Sequence, residues 1–187
     1  MPSPGGTLIA FALNIISQKF PSKEVDNRLL ALVMRSAQIA RNEIISEKNK
    51  KNSLGKILRP SYIKRYSDIF DSEISLKPNN KKLSSGSTTH VSIIDSQRNA
   101  VSVTTTNGEG CGYILPGTGI MMNNMLGEED LNPDGFHNWE TRKRMETMMS
   151  PTIVIGELGP ELVLGSGGSN RIRSAITQVI LLSLIHI

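Results

Sequence analysis

Three features of the 187-residue sequence predict an α+β fold. Apolar residues in the first quarter recur at three- and four-residue steps, the helical period. From residue 88, short segments rich in Val, Ile and Thr alternate with polar or glycine-rich turns, the pattern of antiparallel strands. A closing apolar run from Arg171 returns to helix. A hydrophobic content of 38% over this length can bury one core, and length alone predicts one domain or slightly more.

Taken in order, Thr7 is placed to cap an apolar stretch from Leu8 to Ile16, which Pro21 stops. A second helix begins near Ser22, with Leu29, Val33, Ala37, Ala40 and Ile44 on one face and Arg28, Arg35, Arg41, Glu43 and Glu47 on the other. Residues 48–87, rich in Lys, Asn and Ser, read as an exposed linker holding one short helix near Tyr62–Ile69. Thr89–Asp95 and Ala100–Thr106 then form a hairpin around Ser96-Gln97-Arg98-Asn99. Pairing Asp95 with Ala100 sets Thr89 opposite Thr106 and Thr88 opposite Asn107. Glycine-rich loops (108–119), the segment Ile120–Leu126, a polar stretch to Arg144, strands at Thr152–Ile155 and Glu161–Leu164, and a Gly-Ser turn complete the chain up to the last helix.

Composition removes several function classes. The net charge of +4 conceals 15 Lys/Arg against 7 Asp/Glu in residues 1–87, and 6 against 10 in residues 88–187. The basic charges are scattered, and only Tyr62, Tyr66 and Phe70 offer stacking surfaces among them, so nucleic acid is not an expected partner. No apolar run reaches the roughly 18 residues of a membrane span. The single cysteine, Cys111, makes no internal disulfide and reads as a small loop residue. His90 and His137 lack both metal-ligand companions and a Ser or Cys nucleophile motif and are read as structural. The Arg142-Lys143-Arg144 run reads as a solvated turn. No cofactor or metal is implied.

Thr88 is the residue with chemical promise. A mid-chain threonine hydroxyl is a weak nucleophile, but one that becomes the first residue of a chain has a free α-amine to accept its proton. Gly86-Ser87-Thr88-Thr89-His90 lies after a polar linker and before a strand, so cutting Ser87–Thr88 opens no core. Composition alone favours Thr88 and Thr89 as ordinary strand residues, and Gly167-Gly168 as a simple turn.

Resemblance decides between these readings. Thr88-Thr89-His90-Val91-Ser92-Ile93-Ile94-Asp95, followed by Asn99-Ala100-Val101-Ser102, resembles the segment that opens the small subunit of gamma-glutamyltransferases, members of the N-terminal-nucleophile hydrolases. Pro116-Gly117-Thr118-Gly119-Ile120-Met121-Met122-Asn123-Asn124, Met149-Ser150-Pro151-Thr152-Ile153-Val154 and Gly165-Ser166-Gly167-Gly168-Ser169-Asn170-Arg171-Ile172 resemble later family motifs in the same order. Pro2-Ser3-Pro4-Gly5-Gly6 resembles the end of the large subunit.

The resemblance implies part of a four-layer αββα sandwich with antiparallel sheets. It implies Thr88 as nucleophile after autocatalytic cleavage, Thr106 as its hydrogen-bonding neighbour and the Gly167-Gly168 backbone as oxyanion donors. Asn107, Glu128, Glu129 and Thr147 fall at substrate-binding positions. Two departures stand out: a glutamate pair replaces the family's aspartate, and Thr147-Met148 replaces a serine pair. The implied substrate is a γ-glutamyl small molecule, with an amino acid, peptide or water as acceptor. The subunits would form a heterodimer from one precursor, in a periplasmic or extracellular setting by the resemblance, with a cytoplasmic one left open by the sequence. On this basis residues 1–50 are the helical end of the large subunit, 51–87 a flexible linker, 88–182 the start of the catalytic subunit and 183–187 a truncated or non-native end. No segment of 1–87 matches the family's substrate-gripping arginine region, so the chain alone is expected to be inactive. A glutaryl-amide acylase and a non-catalytic, uncleaved module are the competing readings.

Overall fold

The computed structural model describes residues 4–20, 25–46, 53–68, 88–128, 131–132, 135–139, 141–142 and 144–186, with the backbone alone at 44–46, 53–54, 170 and 184–186. The chain divides into two compact units, Met1–Lys82 with Arg173–Ile187, and Leu83–Ile172. Helices fill the first and small antiparallel sheets the second, in accord with the α+β expectation.

The helical unit is organised by α1 (Pro4–Lys19), whose Leu8, Phe11, Ala12, Ile15 and Ile16 form one continuous buried stripe. The helix starts earlier than expected. Pro4 supplies a ready-made first-turn φ, so Thr7 lies inside the helix and is buried instead of capping it. Helix α2 (Asn27–Ser46) is capped by Asp26, whose Oδ1 accepts the Leu29 N–H at 2.7 Å. Its Val33, Ala37 and Ala40 enter the core and Leu29 packs beside it, while the Ile44 side chain lies outside the described residues. Arg41, expected on the solvated face, is only 7% exposed.

Two short helices follow, α3 (Ser53–Lys56) and α4 (Pro60–Ser67). The second answers to the short helix expected near Tyr62–Ile69, beginning two residues earlier, but the stretch is not exposed: Ile57, Ile63 and Tyr66 are buried against α1. Tyr66 stacks edge-on against Phe11 with ring centroids 5.4 Å apart and donates a hydrogen bond to the Glu43 carboxylate of α2. Lys19 Nζ donates to the Ser67 carbonyl at 2.6 Å, capping the end of α4. A polar composition hid these three apolar anchors because they are spaced too widely to form a long periodic pattern. Residues 48–52 and 69–87 of the expected linker lie outside the described residues. Helix α5 (Ile172–His186) adds Leu181 to the same core, and its Arg173 donates to Gln38 Oε1 of α2 at 3.0 Å.

The second unit is built on two hairpins, β1 (Thr88–Ile94) with β2 (Ala100–Thr106), and β3 (Thr152–Gly156) with β4 (Gly159–Leu164). The first hairpin's register departs from expectation by one residue: Ile94, not Asp95, pairs with Ala100, and Thr88 pairs with Thr106. The loop explains it. Asp95 N–H donates to the Asn99 carbonyl at 3.1 Å and Arg98 N–H to the Asp95 carbonyl at 3.0 Å, with Arg98 left-handed at φ 66°. This is a three-residue loop ending in a bulge, not a four-residue turn. The Asp95 carboxylate holds it together, accepting from the Gln97 and Asn99 amides at 2.9 and 2.8 Å and from Asn99 Nδ2 at 2.8 Å. The Asn99 bonds in particular hold its carboxyl below the ordinary aspartate range.

Between the hairpins, the glycine-rich segment and the start of Ile120–Leu126 form a narrow ribbon. Cys111 N–H bonds Met122 O at 3.1 Å and Leu115 N–H bonds Ile120 O at 2.9 Å, around a Pro116-Gly117 turn with Gly117 at φ 76°. Proline followed by a positive-φ glycine is what a type II turn requires.

Candidate active site

Side chains along a strand alternate faces, so the register decides what meets at the hairpin's open end. Thr88, His90 and Ser92 lie opposite Thr106, Thr104 and Ser102 on one face, while Val91, Ile93, Val101 and Val103 occupy the other. The polar face turns toward β4. Ser102 Oγ donates to the Leu164 carbonyl at 3.1 Å, and at the loop end Arg98 donates to the Pro160 carbonyl at 3.0 Å.

Thr88 Oγ1 lies 3.0 Å from Thr106 Oγ1. The one-residue register change makes this pairing direct, where the expected register set Thr106 opposite Thr89. Thr106 Oγ1 also accepts the Gly108 N–H at 3.0 Å. A backbone N–H can only donate, so it fixes one lone pair of Thr106 and leaves that hydroxyl's own proton able to turn toward Thr88.

The glycine segment after β4 comes to the same place. A Cβ on Gly167 would stand 2.7 Å from the Thr88 carbonyl oxygen and 3.3 Å from Thr88 Cβ, so only a glycine lets this backbone lie against Thr88. Gly168 adopts φ 105°, which a side chain would strain, and leads into a short 3-10 turn, Ser169–Arg171, ahead of α5. Gly167 is thus brought beside Thr88, with Gly168 next to it in the chain.

Of the expected substrate-binding residues, Glu128 is drawn toward this end. Its carboxylate and the Asn124 amide both crowd the space where a Cβ on Gly108 would go. Asn124 Oδ1 also accepts the Glu109 N–H at 2.8 Å. Asn107 works through its backbone, its carbonyl accepting the Gly110 and Asn124 N–H groups at 3.0 and 3.2 Å, while its exposed side chain reaches Met121 O at 3.5 Å. Thr147 Oγ1 accepts the Met149 N–H at 3.1 Å, a local turn bond, and Met148 beside it is buried. Glu129 lies outside the described residues.

A cleft of about 440 Å³ opens beside Asn124, walled by Leu126, Phe136, His137 and Trp139. Its wall is pinned by buried Asn132, whose Nδ2 donates to the carbonyls of Leu126 and Gly135 at 2.8 and 3.1 Å. Among the described residues no cluster of His, Cys, Asp and Glu could hold a metal, and no helix is long and apolar enough to cross a membrane.

Sequence reasoning missed Gly108, Asn124 and Gly165. Gly108 sits at φ 69° and leaves the room that Asn124 and Glu128 use; Gly165 lies against His90. The period-two run of polar residues at 88, 90 and 92 was the available signal for the shared face.

The family profile described as Gamma-glutamyltranspeptidase matches residues 1–186. The chain is 30% identical over 209 residues to the glutathione hydrolase proenzyme of Bacillus subtilis, covering 96% of this chain and 35% of that protein. It is 35% identical over 104 residues to the Acylase ACY 1 proenzyme of a Pseudomonas species, covering 54% and 19%. Among solved structures it resembles the gamma-glutamyltranspeptidase from Pseudomonas nitroreducens complexed with L-DON, with 32% identity, a TM-score of 0.46, and 53% and 58% of the two chains covered. The chain spans about a third of the length of the glutathione hydrolase proenzyme it matches.

Proposed function

This chain belongs to the gamma-glutamyltranspeptidase family, and on that premise we propose that it carries the nucleophile of an enzyme that hydrolyses or transfers γ-glutamyl groups. The observation that carries the reading is the Thr88–Thr106 hydroxyl pair at 3.0 Å beneath the Gly167 backbone. In this reading residues 1–50 end the large subunit, 51–87 precede the cut and 88–182 begin the small subunit. Two subunits from one precursor complete a four-layer αββα sandwich.

The chemistry follows from the residues. In the precursor, Thr88 Oγ attacks the Ser87 carbonyl carbon. The acyl group passes from nitrogen to oxygen, and water cleaves the resulting ester, leaving a free amine on Thr88. That amine then takes the Thr88 hydroxyl proton as Oγ attacks the γ-carbonyl of the substrate. The departing amine leaves protonated, and water or an amino group of an acceptor resolves the acyl-enzyme. Thr106, anchored by Gly108 N–H, stabilises charge on Thr88 Oγ, and the Gly167 and Gly168 N–H groups receive the oxyanion, a role worth about 3–4 kcal/mol per donor. Glu128, or its neighbour Glu129, holds the substrate's α-ammonium, and Asn107 and Thr147 its α-carboxylate.

A second reading, a glutaryl-amide acylase, whose substrate keeps the carboxylate and lacks the α-ammonium, is favoured by the likeness to a protein named as an acylase and follows if Glu128 does not hold an ammonium. Comparing γ-glutamyl and glutaryl anilides as substrates separates the two.

The decisive experiment is a denaturing gel with N-terminal sequencing of the complete gene product, beside Thr88→Ala. A small band beginning Thr-Thr-His, absent from the variant, is expected. One uncut band in both would overturn the catalytic reading and leave a non-catalytic module.

A further inference from the structure

We propose that His90 is a positioning residue that sets how closely the Gly165–Gly168 backbone lies over Thr88. The inference rests on the reading of Thr88 as nucleophile. Both ring nitrogens of His90 are engaged, Nδ1 with Thr104 Oγ1 at 2.8 Å and Nε2 with Ser92 Oγ at 2.9 Å. Held on opposite sides by hydroxyls of two paired strands, the ring cannot rotate. Each hydroxyl can donate or accept, so either tautomer completes both bonds.

The glycine segment lies on this ring. A Cβ on Gly165 would stand 2.7 Å from His90 Cγ and closer still to Nδ1 and Cε1. Along the segment, three contacts with the polar face follow in order: the Leu164 carbonyl on Ser102, Gly165 on His90, and Gly167 on Thr88. The outer two contacts fix the line of the segment. The imidazole between them fixes its height, and with it the distance between the Gly167 and Gly168 N–H groups and a carbonyl attached to Thr88.

Histidine suits the task because it is flat, fills the gap, and carries hydrogen-bonding atoms on two edges. Phenylalanine has the shape without the anchors, and alanine has neither.

The test uses His90→Ala, His90→Phe, Gly165→Ala and the double variant His90→Ala/Gly165→Ala in the complete gene product, with Thr88→Ala as the control for the nucleophile. Each single variant is expected to lower kcat about 10- to 100-fold while KM moves less than about threefold, because the oxyanion donors act on the transition state. The double variant is expected to fall at least about 10-fold short of the product of the single losses, since the new methyl occupies space the ring vacated. Independent, multiplying losses would overturn the proposal, as would a change confined to KM.

A second measurement does not depend on turnover. Amide hydrogen exchange over 164–168 in this chain is expected to accelerate about tenfold or more in His90→Ala and in His90→Phe, which retains the packing bulk. Unchanged exchange there would overturn the positioning role. Failure of the nucleophile reading shows separately, as turnover that survives Thr88→Ala.

Discussion

Thr106 has one bond that is certain in direction, the N–H of Gly108 donating to its hydroxyl, and one whose direction can change as charge develops on Thr88. Thr106→Val keeps the shape and removes both. We expect kcat to fall about 10- to 100-fold, self-cleavage to slow in parallel, and Thr106→Ser to retain most activity, measured by steady-state kinetics and timed gels. Gly167 is constrained differently, because what a Cβ would meet at 2.7 Å is the Thr88 backbone carbonyl, which cannot swing aside as a side chain would. Gly167→Ala is therefore expected to cost about 100-fold or more in both reactions, the size of losing an oxyanion donor.

At the scale of elements, the helical core and the β1–β2 loop each depend on one polar anchor. Burial, reinforced by the Glu43 carboxylate, raises the Tyr66 phenol above its ordinary value of 10.0. The sign follows directly: a folded value above the unfolded one gives stability that is complete below pH about 10 and is lost as pH rises beyond it. Urea midpoints measured from pH 8 to 11 should fall at the alkaline end for the native chain. Tyr66→Phe should lose that alkaline component and cost about 1–3 kcal/mol at neutral pH. The hairpin loop behaves in the opposite sense. Its Asp95 carboxyl is held below its ordinary 3.8, chiefly by the Asn99 amides, so its bonds persist above that value and are lost as pH falls through the depressed one. Asp95→Ala should speed amide exchange at Gln97 and Asn99 at neutral pH while the strand amides nearer Thr88 change least.

For the molecule as a whole, the outer face of the β1–β2 hairpin carries Val91, Ile93, Val101 and Val103, each about half exposed and paired across the strands. Contiguous apolar surface on a two-stranded sheet favours pairing with other chains. This chain is expected to self-associate as its concentration rises, and Val91→Lys with Val103→Lys should suppress it, as read by sedimentation velocity. Far-UV circular dichroism that stays unchanged would separate loss of association from loss of fold.

Much of this was legible in the sequence because it is local. The three- and four-residue steps of α1 and α2 follow from the helical period, and the Val, Ile and Thr runs of β1, β2 and β3 follow from the pleat. The ordered motifs from Thr88 to Ile172 carried the family. Other features depend on contacts between distant segments, to which a local pattern is blind. Ile57, Ile63 and Tyr66 look like stray apolar residues in a polar stretch until α1 covers them. The turn at Asp95 is a choice between two loops of similar composition, settled by carboxylate bonds and a left-handed Arg98, and that one-residue choice decides which threonine faces Thr106. The sequence by itself determined most of the elements and the family, and through the resemblance named Thr88, Thr106 and Gly167; only the tertiary structure decided the contacts by which they meet, because those require a strand register and a backbone approach that no spacing of residues encodes.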